Sequence, residues 1–232
     1  MMRPLRTIPL LALVALAGAT QSESYTLMRT AKIGDRLEYA LTIKTHLNEN
    51  DLTVTSDVTS TVKSIDKEFV VDEFEESNVT IDVAGNSIAI PNEGAHRTKT
   101  DLTGLVIELT GRQSTSLDYR TQQMRAFLPP TAPVKVGDSW TRELKANPKI
   151  GTPTATAQMK FIATEKIGSA DCAKVSWTYK ETEGTAPCSL EGTVWVRLSD
   201  AALMKMDADA KSVPYGDSLP PADMKISLQV KS

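Results

Sequence analysis

Along most of this chain apolar and polar side chains alternate with a period of two, the pattern of strands that bury one face and wet the other. Between 37 and 47, Leu37, Tyr39, Leu41, Ile43 and Leu47 share one phase, while Glu38, Thr42, Lys44 and His46 share the other. The next segment sets Leu52, Val54, Val58 and Val62 against Thr53, Thr55, Asp57, Thr59, Thr61 and Lys63, and threonine suits the wet side of a pleat. The habit recurs in Val79, Ile81 and Val83, in Leu105, Ile107 and Leu109, and in Ala155, Ala157, Met159 and Phe161. It continues through Val175, Trp177 and Tyr179, then Val194, Val196 and Leu198, then Met204, Met206 and Ala208, and ends in Met224, Ile226, Leu228 and Val230. Strands of this kind belong to antiparallel sheets; the doubly covered parallel sheets of nucleotide-binding folds read as continuous apolar runs. Clusters such as "NEND", "AGNS", "IGSAD" and "TEGT" supply the turns.

One stretch breaks the period. In "STSLDYRTQQMRAFLPP" the apolar residues Leu117, Met124, Phe127 and Leu128 fall on one helical face, which predicts a helix over about 116–128, capped by Ser114 or Ser116 and ended by Pro129. Pro129, Pro130 and Pro133 then stiffen the connection that follows.

The chain also writes one phrase twice. "AKIGDRLEY" at 31–39 and "VKVGDSW" at 134–140 align when Gly34 is set on Gly137. Each is followed by a strand, a long Thr-rich strand, a turn and a valine-rich strand. Gly-Asp is a turn device: glycine accepts positive φ, and aspartate bonds the backbone just beyond it. The expected organisation is therefore a first β half (20–130) that includes the helix and a second β half (131–232), sharing one core. The fold class is mainly β, with one or more large, curved antiparallel sheets built from two meander-like halves and a short helix between them. A sheet of roughly ten or more strands must cover its apolar face, which one short helix cannot do alone. Either two sheets pack as a sandwich, or one sheet curls into a half-barrel around its own side chains or around a cavity.

The Lys-x-Gly-Asp strand opening, preceded by a helix and "LPP", resembles a group of uncharacterised exported bacterial proteins in which it opens the second half of a duplicated β-rich domain. More distantly, many antiparallel strands with one helix look like the half-barrel lipoprotein and lipid carriers of the bacterial envelope. That likeness implies a cavity for a lipid or a lipoprotein acyl chain, with the helix as its lid.

The ends and the charge narrow the setting. Arg3 and Arg6, the apolar "IPLLALVALA" and the small Ala17, Gly18 and Ala19 read as an export signal over 1–19. Its apolar run is nearer ~10 residues than the ~20 that span a membrane, so no transmembrane segment is expected in the mature chain, which would be periplasmic or secreted. Removing Arg3 and Arg6 moves the formal charge from −3 to −5, which argues against nucleic acid and anionic lipid surfaces as partners. In an exported chain the pair Cys172 and Cys188 is expected to be bridged, stabilising by about 3 kcal/mol. Register complicates that bridge: a hairpin turning at "TEGT" sets Cys172 opposite a residue near 195.

Candidate chemistry is sparse. "YGDSLPP" at 215–221 contains the letters of a serine-esterase motif, but His46 and His96 both lie far upstream, and Ser218 reads as a turn residue. The two histidines lack zinc-site spacing, and the run Asp72 to Glu76 lacks the glycine-spaced pattern of a calcium loop, so it reads as solvated charge at a strand end. No cofactor, metal or catalytic residue is assigned, and the chain is read as no enzyme. Met124, Phe127 and Leu128 of the helix, with Met159, Phe161 and Trp177, are the expected lining of a ligand cavity; ordinary core is the competing assignment for them. Trp195, out of phase with Val194 and Val196, is expected to be partly exposed or covered by something else. The functional expectation is an exported carrier of a lipid or other apolar ligand; its alternative is a structural or interaction module of the envelope with a filled core.

Overall fold

The computed structural model describes residues 23–47, 49–92, 94–111, 115–184, 186–214 and 220–231. The expected export signal (1–19), Ser114 and Ser218 lie outside the described residues. The elements in chain order are β1 (Arg36–Leu47), β2 (Asn50–Ile65), β3 (Phe69–Val83), β4 (Asn86–Ala89), β5 (His96–Asp101), β6 (Val106–Gly111), α1 (Ser116–Arg125), β7 (Ser139–Leu144), β8 (Ala155–Ile167), β9 (Ala170–Glu181), β10 (Ser189–Arg197), β11 (Leu203–Val213) and β12 (Ala222–Val230). They form one curved, unclosed antiparallel sheet in the order β6-β5-β3-β2-β1-β12-β11-β10-β9-β8-β7, with β4 paired to the far end of β3. This is the half-barrel alternative; a sandwich would need a second sheet.

Each half is a meander, and the two meet where the first strand pairs the last, from Tyr39 opposite Val230 to Thr45 opposite Met224. Eleven strands lie along this path. Ten antiparallel pairings, an even number, leave the edge strands β6 and β7 pointing the same way, so no antiparallel ladder can join them. Strands so related need a crossover connection, and the segment carrying α1 is that crossover.

The duplicated phrase is one turn built twice. Lys32 N donates to Asp35 Oδ2 at 2.7 Å, and Lys135 N donates to Asp138 Oδ2 at 2.9 Å. Gly34 (φ +91°) and Gly137 (φ +100°) sit in the region that favours glycine. Gly34 N and Asp35 O bond Val62 O and N, while Gly137 N and Asp138 O bond Phe161 O and N. One residue beyond each anchor the ladder carries a bulge, at Lys63 in β2 and at Ile162 in β8. The turn therefore locks the start of one strand onto the bulge of the next, at the same end of the sheet in both halves.

The inner face buries one cluster drawn from both halves, including Tyr39, Leu41 and Val58 from the first and Val175, Trp177 and Tyr179 from the second. Two bulges alter the expected phase. Ile107 is the extra residue of β6, so Val106 and Leu109 are buried while Ile107 is exposed. Met204 is the extra residue opposite the Trp195/Val196 step and packs with Trp195 and Cys172 rather than with Met206. Trp195 itself is covered: the ammonium groups of Lys174 and Lys205 lie over its ring, and its Nε1 donates to Glu165 at 2.8 Å.

The expected disulfide is corrected. Cys172 pairs across the ladder with Arg197, close to the register expected from the turn. Cys188 lies beside Ser189, which pairs Lys180. Eight residues of strand, about 27 Å, separate Cys172 from that level, far beyond the roughly 7 Å limit between bridged Cα atoms. The thiols also belong to different clusters, Cys172 with Trp195 and Cys188 with Met124. Both are free and buried, and burial pushes the Cys188 thiol up to about 12.

Two outcomes follow from this geometry. Thiol titration of protein prepared without reductant should find both cysteines reactive after denaturation and sluggish before it; one intramolecular bridge in the intact mass would contradict the register. Gly137→Ala should cost about 1–2 kcal/mol through φ strain alone, because nothing lies within 4 Å of the added Cβ. A thermal melt should then shift down by about 2–8 °C.

Candidate ligand-binding cleft

The two halves fill their inner faces differently. β8 and β9 point Met159, Phe161, Val175, Trp177 and Tyr179 inward, and these are almost completely buried. The inner phase of β2 is Val54, Ser56, Val58, Ser60 and Val62, and such small side chains leave space. That space is a half-open cleft of about 580 Å³ along β1, β2, β3 and β5, within the usual ~300–1,000 Å³ of small-molecule sites. Val54 and Val62 both line it, so it extends roughly 27 Å along the strands.

Two covers bound the cleft. The first is α1 with the residues after it. The helix is capped by Thr115, whose side chain accepts from Asp118 N while Asp118 accepts from Thr115 N, so neither Ser114 nor Ser116 is the cap. Its docking answers the open edge: Leu109 N of β6 donates to Tyr119 Oη at 2.8 Å, and Val106 N donates to Gln123 Oε1 at 3.1 Å. On the other side Arg120 forms a two-point pair with the buried Glu181 carboxylate, and Trp140 Nε1 of β7 donates to Leu128 O. The helix thus takes the place of the missing ladder between β6 and β7. Gly104 matters here, since a Cβ would lie 2.3 Å from Phe127 O.

The second cover is a strap, residues 25–30. Tyr25 exchanges backbone bonds with Val134 and packs edge-on against Phe161. Leu27 is buried, Arg29 grips Asp72 with both guanidinium nitrogens, and Thr30 N donates to Asp200 O. Burial works against the Arg29 charge, but the Asp72 carboxylate outweighs it and holds the guanidinium above its usual value.

The cleft has one apolar wall and one polar wall. Tyr39, Leu41, Val58, Met206 and Leu228 form the apolar side. Opposite them β3 and β5 turn Asp72, Glu76, His96 and Thr98 inward, with His96 stacked on Phe74 at 5.3 Å. Arg197 and Asp200 form a second two-point pair at the same end as Arg29. There burial would raise the Asp200 carboxyl, but the Arg197 guanidinium and Ala202 N–H win and hold it below its ordinary value. Burial lowers Arg125, with the Glu76 and Asp118 carboxylates opposing that shift. Two hydroxyls on these walls, Ser56 Oγ and Thr98 Oγ1, are buried without a hydrogen-bond partner.

Of the six residues expected to line a cavity, Phe127 borders this cleft. Met124, Leu128, Met159, Phe161 and Trp177 instead pack in the filled core at 0–3% exposure, the competing assignment for such residues. The reason is steric: large side chains fill the second half, and the cleft lies where they are lacking. The reading of Asp72 to Glu76 as solvated charge is also corrected. Glu73 is outward, paired with Lys63 and Arg97, but Asp72 is 3% exposed and Glu76 faces the cleft. A period-two count from Val70 through Asp72, Phe74 and Glu76 carried that signal. His46 is exposed beside Asp51. Among the described residues no three His, Cys, Asp or Glu side chains gather as a metal site, and no helix is long and apolar enough to cross a membrane.

No protein-family model matches the chain, and no curated protein sequence does either. Among solved structures the chain is similar to lipovitellin, in a structure titled for its lipid–protein interactions: 11% identity over 85% of this chain and 25% of that one, with a TM-score of 0.44. It is also similar to the hypothetical lipoprotein YmcC from Escherichia coli (K12), at 12% identity over 83% of this chain and 87% of that one, with a TM-score of 0.33. This chain therefore spans a quarter of the lipovitellin chain. Likeness at this level bears on neither ligand nor activity.

The strap pair is testable by stability. Arg29→Ala should cost about 3 kcal/mol by leaving Asp72 buried and unpaired, lowering the melting temperature by roughly 6–12 °C. The double variant Arg29→Ala/Asp72→Ala should melt above the single one; equal or additive losses would show that the pair is not coupled.

Proposed function

We propose that this is an exported, non-enzymatic protein of the cell envelope that binds and carries an apolar ligand, a lipid or an acyl chain, in the cleft between β1–β5, the strap and the end of α1. The observation that carries this reading is the apolar wall of Tyr39, Leu41, Val58, Met206 and Leu228 facing a half-open space of about 580 Å³. Tyr39, Leu41, Val58 and Met206 belong to the same buried cluster as Phe161 and Trp177, yet they also border this space, whereas Phe161 and Trp177 do not. Export rests on the 1–19 signal. Without that segment the chain would meet its ligand inside the cell, with the same cleft.

Native mass spectrometry of detergent-free protein from its own host should show retained lipid mass, and a fluorescent single-chain lipid should bind. Ser60→Phe places a ring in the cleft from the inner face of β2. It should weaken that binding about tenfold or more, with the melting temperature unchanged or raised, because the ring fills space rather than displacing core. Bare protein together with a fluorescent lipid that does not bind would remove the carrier reading in favour of a structural module.

A further inference from the structure

We propose that Arg125 anchors the head of the ligand, so that the cleft takes an amphiphile with an anionic head, a carboxylate or a phosphate, in preference to one with a neutral or cationic head. This rests on the apolar-ligand reading above and adds the head chemistry and the residue that receives it.

Four arginines border the cleft, and three of them have a carboxylate within ion-pair distance. Arg29 and Arg197 hold Asp72 and Asp200 in two-point pairs. Arg36 pairs with Glu38 where both side chains are more than half exposed, so water screens that charge. Arg125 is the exception. Its Nε donates to Thr121 O at 3.1 Å, and among the described residues its two Nη nitrogens make no hydrogen bond or ion pair.

The balance of burial and charge separates Arg125 from the two buried pairs. At Arg29 the Asp72 carboxylate outweighs burial, and at Arg197 the bond to Asp200 leads, so both guanidiniums stand above their usual value. At Arg125 burial leads and lowers it, against the opposing pull of Glu76 and Asp118. Asp118 is occupied by the Thr115 N–H and hydroxyl in the helix cap, and Glu76 is not without a partner of its own. An arginine keeps its charge in a protein, so a desolvated cation with two idle Nη groups stands on the cleft wall. Such a charge is costly until an anion meets it, and the planar fork of a guanidinium matches a carboxylate or a phosphate.

The position suits an amphiphile. Arg125, Ala126 and Phe127 border the cleft from the end of α1. The carboxylate that acts most on Arg125 is Glu76, and the ladder row Glu76–Val58–Tyr39 runs from it into the apolar wall. One inward position along β2 from Val58, Ser56 pairs Leu41, is 5% exposed and has a hydroxyl with no hydrogen-bond partner. An unmet buried hydroxyl is costly, and a head oxygen relieves that cost. The hydroxyl would serve any polar head; the guanidinium selects the charge.

The test is competition on the full mature chain, stripped of lipid, at mildly alkaline pH and low salt, with the neutral fluorophore N-phenylnaphthylamine as the bound probe. Laurate, lauryl phosphate, lauryl alcohol and laurylamine share one tail, and each is kept below the concentration at which it self-associates. Laurate, lauryl phosphate or both should displace the probe at about tenfold lower concentration than the alcohol or the amine. Which of the two does so tells a fatty-acid head from a phosphate head. In Arg125→Met, which keeps a long unbranched side chain and is checked for a cooperative melt, that advantage should shrink to about twofold or less; the ranking on the unaltered chain needs no variant. An alcohol or amine that competes as well as both anions overturns the proposal and leaves the apolar-ligand reading standing. So does an advantage that survives in folded Arg125→Met. If the probe and all four competitors fail to bind, both readings fall together.

Discussion

The pairing of the first strand with the last governs this molecule. Once β1 lies beside β12, each half must spread outward from that seam, and the link between halves must run from one outer edge to the other. With eleven strands along the path those edges point the same way and cannot zip together. The backbone groups of β6 must still be satisfied, and side chains of α1 do it, Tyr119 and Gln123 receiving Leu109 N and Val106 N. A helix held in that position also covers one end of the concave face. The lid follows from strand arithmetic before any ligand enters the account.

Duplication explains the scaffold and its departures explain the cleft. Both copies of the Lys-x-Gly-Asp turn bond a residue just before a bulge, Val62 in one half and Phe161 in the other, so the two long strands are bent by the same device. What differs is the side chain at equivalent depth. Phe161 reaches the edge of Tyr25 and closes the second half, while Val62 and its neighbours Ser60 and Ser56 are too small to reach across. The hydrophobic effect rewards filling, so the face left open beside a filled one is the feature on which the proposed binding role rests.

Much of this was legible in the sequence, and the misses share a cause. Alternation in 37–47 places Tyr39 and Leu41 inward, as they are, and the repeat locates both turns. Period-two reading fails wherever a bulge adds a residue, hence Ile107 outside and Met204 beside Trp195; nothing in a single sequence marks such insertions. A cavity is expected from the sequence, but most of its lining differs, for another reason. Large apolar residues suggested a lining, but Met159 and Trp177 fill space, whereas Ser56, Ser60 and Thr98 in the inward phase create it. Long-range partners such as Arg29 and Asp72 cannot be paired from spacing at all.

The strap ties these levels together. Leu27 and Arg29 are at once core, ion pair and cleft wall. Anything that packs along the apolar wall therefore also touches the segment that covers it. Binding to a state with the strap docked and not to one with it released must, by linkage, tighten the strap by the same free energy that a docked strap adds to binding. Because the strap reaches the second half through Tyr25 and Val134 and the first through Arg29 and Asp72, that coupling runs across the seam that unites the sheet. The two halves, alike in their turns and unlike in their filling, would thus respond as one body to any occupant of the cleft.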